Sequence, residues 1–325
     1  MNNWRLLITS FIMAVGALCI GPAAAENYPA RPIKLVVPWP AGGATDSLAR
    51  VVARKLGEVL GQPVVVENKP GANGQIGMLS VARAEPDGHT LALAAMTSHA
   101  IAPAGSRNLP YDVLMDFVHV GTIAAAPMLL VVPATSQITS LSDLIARAKA
   151  EPGNLTYASY GIGSAPHLAA ELLAQITDIQ LLHVPYQGTA PAAQALLAGQ
   201  VSLYFDSLPS GLPLVKAERA KALAITSHAR RPDLPDVPTV AETIPGFEEI
   251  ILWWGLSAPK GTDPTVVRTL NEALATALAD PLVKEQLAHF GAQPYISTSS
   301  EFTAYIKREI QRWAEVMQKG NISLN

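Results

Sequence analysis

The sequence predicts an α/β protein with two lobes that enclose a cleft, and two observations lead to this fold class. The chain has 325 residues, of which 49% are hydrophobic and 15% are charged. This content is ample for a packed core and excludes a disordered or collagen-like chain, but a single core of this length is near its practical limit. Strand and helix patterns also alternate in two sets of similar size, which predicts two parallel sheets covered by helices.

The first 25 residues are typical of a secretory signal peptide. Arg5 precedes an apolar run at residues 6–20, and a small-residue stretch ends at Ala25. The run is shorter than the roughly 20 residues that span a bilayer, so we expect cleavage after Ala25 and a periplasmic protein. Cys19 is the single cysteine and leaves with this segment, which excludes a disulfide scaffold or a multi-cysteine metal site. The net charge of −3 gives no basic footprint for nucleic acid.

The first set of elements contains short apolar strands and one amphipathic helix. Residues 33–39 are an apolar, β-branched run that ends in a cluster of Pro and Gly, which predicts a buried strand. Apolar residues recur at helical spacing over 45–60, and further strands are predicted at 64–66 and 90–95. The glycines of 70–77 do not have the spacing of a dinucleotide fingerprint, so this segment is expected to be an ordered turn.

The second set begins with two strands at 118–123 and 128–132, separated by residues 124–127. Ser140 and Asp143 have the spacing of a capping box and predict the start of a helix. Further strands are predicted at 155–159, 181–184, 201–206 and 221–226, and helices at 166–176 and 191–197.

The chain is expected to return to the first lobe at its end. A strand at 250–258 is followed only by helices, which begin at Asp263, Asp280 and the Thr298-x-x-Glu301 capping box. These helices are left over after the second sheet, so we expect two crossovers between the lobes. Lobe 1 is expected at 26–122 and 255–325, and lobe 2 at 123–254.

Three loops share one design, in which a strand is followed by a glycine-containing loop and a helix N-terminus. They span residues 38–46, 160–167 and 186–191, and in each a Ser, Thr or Asp is expected to cap the helix. Free N–H groups and the helix dipole make such places anion sites. One such loop is more often purely structural, but three from both lobes favour a shared anion site in the cleft. Because the loops contain no Lys or Arg, amides, hydroxyls and water are expected to hold the anion.

The sequence lacks the motifs of common enzymes. It has no nucleophile elbow, since residues 161–165 are GIGSA, and no H-E-x-x-H or phosphate-binding loop. We therefore expect no catalytic residue, no metal and no cofactor. An exported hydrolase that uses Ser164 or Ser98 is the weaker alternative. His99 and His167 are candidate bases, although hydrogen-bonded structural histidines are more common.

Motifs along nearly the whole mature chain resemble the Bug family. They include YPARPIKLVVPWPAGGATDSLAR at 28–50, VENKPGANGQIG at 66–77, LPYDVLMDF at 109–117, HVPYQGTAPA at 183–192 and WWGLSAPKGT at 253–262. The Bug family supplies the extracytoplasmic solute receptors of tripartite tricarboxylate transporters. The resemblance implies a monomeric, two-lobed periplasmic binding protein that closes on a small di-, tri- or aromatic carboxylate and delivers it to the transporter's membrane subunits. Presentation of the ligand to a sensor protein is the alternative role.

The resemblance also implies which residues contact the ligand. Gln187 stands where the family often has a basic residue, so loss of that cation leaves more of the anion binding to backbone amides. Trp39 stands where Phe is more common, which favours a narrower pocket mouth or a flatter ligand. The implied ligand-binding residues are Trp39, Ala41, Gly42, Gly43, Asp46, Thr97, Ser98, Tyr160, Gly161, Ser164, His167 and Asp206.

Overall fold

The computed structural model describes residues 28–324, and a curled, mixed sheet of ten strands forms its centre. The signal peptide expected at 1–25 lies outside the described residues. The strands are β1 (Ile33–Val37), β2 (Val64–Asn68), β3 (Thr90–Ala95), β4 (Phe117–Pro133), β5 (Thr156–Ser159), β6 (Leu182–Pro185), β7 (Leu203–Ser207), β8 (Ala220–Ile225), β9 (Ile251–Pro259) and β10 (Gln293–Pro294).

Helices pack against this sheet throughout the described range. They are α1 (Ala44–Leu60), α2 (Gln75–Ala82), α3 (Ala102–Gly105), α4 (Leu141–Ala150), α5 (Ala165–Thr177), α6 (Thr189–Leu197), α7 (Leu208–Lys216), α8 (Val240–Thr243), α9 (Pro264–Ala279), α10 (Pro281–His289) and α11 (Ser299–Lys319). A 3₁₀ turn at Ala72–Gly74 and a π turn at Thr97–Ile101 complete the helical segments. Among residues 28–324, no helix combines the length and the apolar character needed to cross a membrane.

The sheet has two halves that meet in β4. In the first half the order is β2-β1-β3-β9-β4, with β1, β2 and β3 parallel and β9 antiparallel to β3. In the second half the order is β4-β7-β5-β6, with β5, β6 and β7 parallel, and β8 pairs with the other edge of β4. This arrangement confirms the expected pair of α/β units with parallel strands.

The expected break at residues 124–127 is wrong, because β4 continues through it. Ala124 pairs with Trp254 of β9 on one side and with Pro294 of β10 on the other. The small residues and the proline weaken the strand pattern in the sequence, and strand pairing on both sides overrides this weak local preference. The partner of β4 changes from β9 at Pro127 to β7 at Met128, so this one strand passes from the first half of the sheet to the second.

The strand register brings the carboxyl ends of both parallel sets toward the middle of β4. In the first half, Ala95 at the end of β3 lies opposite Trp254, close to where β9 begins beside Pro127. In the second half, Ser207 at the end of β7 lies opposite Met128. We call the place where β4 changes its partner, between Pro127 and Met128, the crossover. The loops that follow the parallel strands of both halves face one another there, which is where ligands bind in open α/β sheets.

Four helices are absent from the sequence-based prediction, namely α3 and α8, which have four residues each, and the longer α2 and α7. Helix α2 occupies the second part of the expected turn at 70–77, and its glycine N-terminus gives no capping signal. Helix α7 contains Pro213 in its interior, which argues against a helix in any sequence pattern. Helix α7 follows β7 directly and α2 follows β2 after the 3₁₀ turn, so both form in connections between strands where the local sequence does not indicate a helix.

The last helix joins the two halves of the protein. The sequence predicts one apolar stripe on this helix, formed by Phe302, Tyr305, Ile306, Trp313 and Met317. The structure confirms it, since four of these side chains are buried and Tyr305 is half-buried. The Phe302 ring packs edge-on against Trp253 of β9, and Gln175 of α5 donates a hydrogen bond to the Val316 carbonyl at 2.9 Å. The C-terminal helix thereby fixes the second-half helix α5 to the first half of the sheet.

Candidate ligand-binding site

Four longer helices that start at the crossover lack side-chain caps, whereas four other helices have them. Helices α1, α5, α6 and α7 begin after Gly43, Ser164, Gly188 and Ser207, and none of these side chains accepts a hydrogen bond from the helix. Helices α4, α9, α10 and α11 begin after Ser140, Asp263, Asp280 and Thr298, and each of these side chains accepts at least one backbone N–H.

This difference follows the sheet. Strands β4 and β9 run antiparallel to β7 and β3, so α4 and α9 start at the edge away from the crossover. The expected Ser, Thr or Asp caps in the three loops are therefore wrong. These uncapped helix starts support an anion site, because an uncapped N-terminus keeps its N–H donors and its positive dipole end for another acceptor.

In the first loop, Asp46 ties the loop to its surroundings. One carboxylate oxygen accepts the Gly42 N–H at 2.9 Å and the Arg50 Nε at 3.0 Å, and the other accepts Asn68 Nδ2 at 2.9 Å. Asn68 Nδ2 also donates to the Trp39 carbonyl at 3.0 Å. The hydrogen bond from Arg50 is the largest cause that lowers the pKa of Asp46 to about 2. Asp46 therefore holds the loop in place as a permanent carboxylate.

The rest of this loop is open to solvent. Ala41, Gly42 and Gly43 are exposed, and a Cβ placed on Gly42 would meet no protein atom within 4 Å. Trp39 is half-buried against the apolar cluster under α1, together with Trp254, whose Nε1 donates to the Thr45 hydroxyl at 3.3 Å. The loop thus presents exposed backbone beside two half-buried tryptophans.

In the second half, the glycine loop before α5 is held by its own polar groups. The Ser164 hydroxyl donates to the Gly161 carbonyl at 2.6 Å, and the Gly161 N–H donates to the Ser159 hydroxyl at 3.0 Å. The Gly163 N–H donates to Nδ1 of His167 at 3.1 Å. Because Ser164 is engaged with a carbonyl and His167 accepts an amide, the pair is not arranged as a nucleophile and a base.

Histidines at this loop are neutral. The His167 ring stacks on His183 with a centroid separation of 4.2 Å, and Nε2 of His183 lies 2.6 Å from the Ser159 hydroxyl. Burial lowers the pKa of both imidazoles to about 4. The loop therefore offers an anion no imidazolium at neutral pH, in agreement with the sequence argument for amides and hydroxyls.

The predicted contacts after β3 lie in the π turn. Ser98 is fully buried, and its hydroxyl lies 3.2 Å from the Ala95 carbonyl oxygen and 3.0 Å from Nδ1 of His99. Thr97 is only half-buried. The hydroxyl of Ser98 is therefore used inside the protein, while Thr97 is left nearer to the surface of the crossover.

Asp206 lies at the end of β7 with no exposed surface, and neither of its carboxyl oxygens has a hydrogen-bond partner among the described residues. Burial raises the pKa of this carboxyl to about 7. The phenol of Tyr160 lies near this carboxyl. Burial raises the pKa of Tyr160 most, the charge of Asp206 raises it further, and the Ala165 amide lowers it. Asp206 is thus placed close to the start of α5.

Three residues at this site were not among the predicted ligand contacts. Asn68 and Trp254 stand within the quoted motifs VENKPGANGQIG and WWGLSAPKGT, so the motifs did contain a signal for them. Tyr204 is buried in β7 with an unpartnered hydroxyl. Its position in an ordinary strand pattern gave no signal in the sequence.

Residues 48–322 match the family model of the tripartite tricarboxylate transporter family receptor. The chain belongs to this receptor family. Protein BugT of Bordetella pertussis is 39% identical over 327 residues, and the match covers 100% of each chain. The receptor family comprises solute-binding proteins and not enzymes, so this protein is a solute receptor without catalytic activity.

Solved structures of similar proteins share the fold of the receptor. R. palustris Rpa4515 with adipate is 36% identical, with a TM-score of 0.82 over 91% of this chain and 99% of that chain. MatC from Rhodopseudomonas palustris with bound malate is 34% identical, with a TM-score of 0.77 over 89% of this chain and 99% of that chain. These likenesses confirm the two-lobed periplasmic binding protein fold expected from the sequence.

Proposed function

We propose that this receptor binds a small organic carboxylate in the periplasm and delivers it to the membrane subunits of a tripartite tricarboxylate transporter. The observation that carries the proposal is the set of four uncapped helix N-termini, α1 from the first half and α5, α6 and α7 from the second, at the crossover. Donors and dipoles of this kind stabilise an anion without any charged side chain. The family supports the transporter as the partner.

The ligand class is supported by the similar proteins. Adipate and malate, which the two solved structures contain, are both small carboxylates. A carboxylate that is buried at the crossover must replace its hydration with other donors. The proposed contacts are the loop residues and strand ends on both sides of the crossover: Trp39, Ala41, Gly42, Gly43, Asp46, Thr97, Ser98, Tyr160, Gly161, Ser164, His167 and Asp206.

Closure of two lobes on the ligand is part of the proposal. Lobe 1 comprises residues 26–122 and 255–325, and lobe 2 comprises 123–254, so that both boundaries fall on β4 and β9, which run through the crossover. One chain supplies helix N-termini from both sides, so the receptor acts as a monomer.

The test is a thermal-shift screen of the protein without its signal peptide, followed by calorimetry on the ligands that raise the melting temperature. A ligand at a hundredfold excess over its Kd is expected to add about 2.7 kcal/mol to the free energy of unfolding. Because amides and dipoles in a dry site are poorly screened, the affinity is expected to change little between low and moderate salt. If no mono-, di-, tri- or aromatic carboxylate shifts the melting temperature, the proposal is wrong.

A further inference from the structure

The buried carboxyl of Asp206 is surrounded by the first residues of three uncapped helices. Tyr160 links it to the Ala165 amide at the start of α5. Asp206 and Tyr204 lie two residues apart on β7 and therefore point to the same face of the sheet. In the first turns of the next helices, Thr189 of α6 lies near the Tyr204 hydroxyl, and Ser210 of α7 lies near the Asp206 carboxyl.

These neighbours do not satisfy the carboxyl. Both oxygens of Asp206 lack a partner with hydrogen-bond geometry, and so does the Tyr204 hydroxyl. A Cβ on Gly211 of α7 would lie 3.3 Å from the Asp206 Cβ, so α7 is packed closely against this side chain. A buried acceptor without a donor carries a desolvation cost of about 1–3 kcal/mol, and more when it is charged. Donor groups of Ser210 and Ser207 lie near Asp206, but none of the described residues donates to its oxygens with hydrogen-bond geometry, so the carboxyl can accept from a further donor.

A carboxylate ligand can provide that donor. Its anionic group suits the helix N-termini, but a second carboxylate group beside Asp206 would place two negative charges in one buried site. A hydroxyl or an ammonium group on the same ligand would instead donate to the free oxygens. The shared requirement is thus a hydrogen-bond donor close to the anionic end of the ligand.

We propose that Asp206 determines the specificity of the receptor by accepting a hydrogen bond from a hydroxyl or ammonium group that the bound carboxylate carries. The preferred ligands are hydroxy acids or amino acids rather than the matching unsubstituted acids. This inference rests on the proposed function, because it names the substrate class of the same site. The nearby Ser210 side chain and Ser207 amide oppose the effect of burial and favour the ionised form of Asp206, although neither has hydrogen-bond geometry to its carboxyl oxygens. Tyr160 and Tyr204 are the titratable groups coupled to Asp206.

Succinate, malate and aspartate are suitable probes because they share one four-carbon skeleton and differ only at one carbon. Calorimetry at a single pH is expected to show malate or aspartate binding at least about tenfold more tightly than succinate, a difference of about 1.4 kcal/mol. Glutarate, 2-hydroxyglutarate and glutamate repeat the comparison for a longer ligand, and lactate, alanine and propionate for a shorter one. The hydroxyl and ammonium arms show which donor the site takes.

The variant Asp206→Asn tests whether this residue is responsible. Its amide can donate to a carboxylate, so succinate is expected to gain affinity and the preference is expected to fall below about threefold. Asp178→Asn is the matched control, since Asp178 is exposed at the other end of α5 in a left-handed conformation that Asn also adopts. A preference that survives in Asp206→Asn would overturn the assignment of this residue.

The wild-type protein provides a second measurement that does not depend on the variant's folding. Ionised Asp206 is the better acceptor and protonated Asp206 the better neighbour for a carboxylate. Between about pH 6 and pH 8, affinity for malate and aspartate is therefore expected to rise with pH while affinity for succinate falls. Equal affinities and parallel pH profiles for all three would reject the inference but leave the solute receptor intact. Failure of every carboxylate to bind would instead reject the proposed function as well.

Discussion

At the scale of single residues, the site depends on side chains that hold backbone rather than on side chains that reach for a ligand. Asp46 accepts from Gly42, Arg50 and Asn68, and His167 accepts from Gly163. Such residues fix the direction of the loop amides. The sequence identified Asp46 and His167 as candidate contacts, and the structure shows that each of them positions a loop.

Asp46→Asn is expected to weaken carboxylate binding about tenfold and to lower the free energy of unfolding by about 1–2 kcal/mol, because charge-assisted hydrogen bonds to the loop are lost. Calorimetry and urea denaturation measure the two effects. The chain contains a control in α4 with the same spacing of partners, where Asp143 accepts the Thr139 N–H at 3.0 Å and the Arg147 Nε at 2.8 Å on its two oxygens.

Asp143→Asn is therefore expected to cost similar stability and to leave the affinity within about twofold. Equal losses of affinity in both variants would show that the effect of Asp46→Asn comes from general destabilisation and not from the loop at the crossover.

At the scale of elements, the distribution of helix caps separates stability from function. Helices that start away from the crossover use Ser, Thr or Asp caps, and α11 has a full capping box between Thr298 and Glu301. Helices α1, α5, α6 and α7, which start at the crossover, forgo this stabilisation. A cap is worth about 1 kcal/mol, so its omission at four helices is expected where the N–H groups serve another purpose.

Gly43→Asp is expected to stabilise the protein by a few tenths of a kcal/mol and to lower carboxylate affinity more than about tenfold. Gly43 has a φ of −78°, and a Cβ there would meet only the Pro40 carbonyl oxygen, at 3.8 Å, so an aspartate fits and can cap α1. The new carboxylate would then occupy the donors and repel the ligand. Thermal unfolding measures the expected gain in stability, and calorimetry measures the expected loss of affinity.

Thr298→Ala is the control for this experiment, because it removes a cap far from the crossover. It is expected to cost about 1 kcal/mol of stability while the affinity stays unchanged. If Gly43→Asp binds a carboxylate as tightly as the wild type does, the N-terminus of α1 does not contact the ligand.

At the scale of the whole molecule, buried neutral histidines couple stability to pH. His119 on β4 lies next to His99, with ring centroids 5.6 Å apart, and His167 stacks on His183. Burial lowers the pKa of His99 well below its usual value and that of the other three to about 4. The unfolded chain, with ordinary values near 6.5, therefore binds more protons in this range.

The stability from these histidines is complete above about pH 6.5 and is lost as the pH falls toward 4. His119 contributes a loss of up to about 2 kcal/mol between pH 7 and pH 5, and His167 and His183 contribute less because solvent partly screens them. Asp206 acts in the opposite direction, because its raised pKa favours the folded state as the pH falls. Its gain in the free energy of unfolding offsets the loss from about one histidine. Urea denaturation at the two pH values is expected to show lower stability at pH 5.

His119→Gln is expected to reduce this pH dependence, and His289→Gln, which changes an exposed imidazole on α10, is expected to leave it unchanged. Equal or greater stability of the wild type at pH 5 would contradict the account of the buried histidines.

The sequence by itself determined the α/β class, most helices and strands, the three glycine loops and the family. Hydrophobic periodicity and turn residues are local, and the helices at 45–60 and 166–176 that they predict match α1 and α5 within a residue. The capping box of α11 and its buried stripe were also predictable, because they depend on spacing within one helix.

Only the tertiary structure decided what depends on partners distant in the chain. Residues 124–127 became part of β4 because β9 and β10 pair with them, and α7 formed around Pro213 because β7 had to connect to β8. The same holds for Asp206, whose burial without a donor is invisible in the sequence. Local preferences are weak beside the free energy of burial and strand pairing, so contacts between distant segments set these features and, with them, the chemistry of the site.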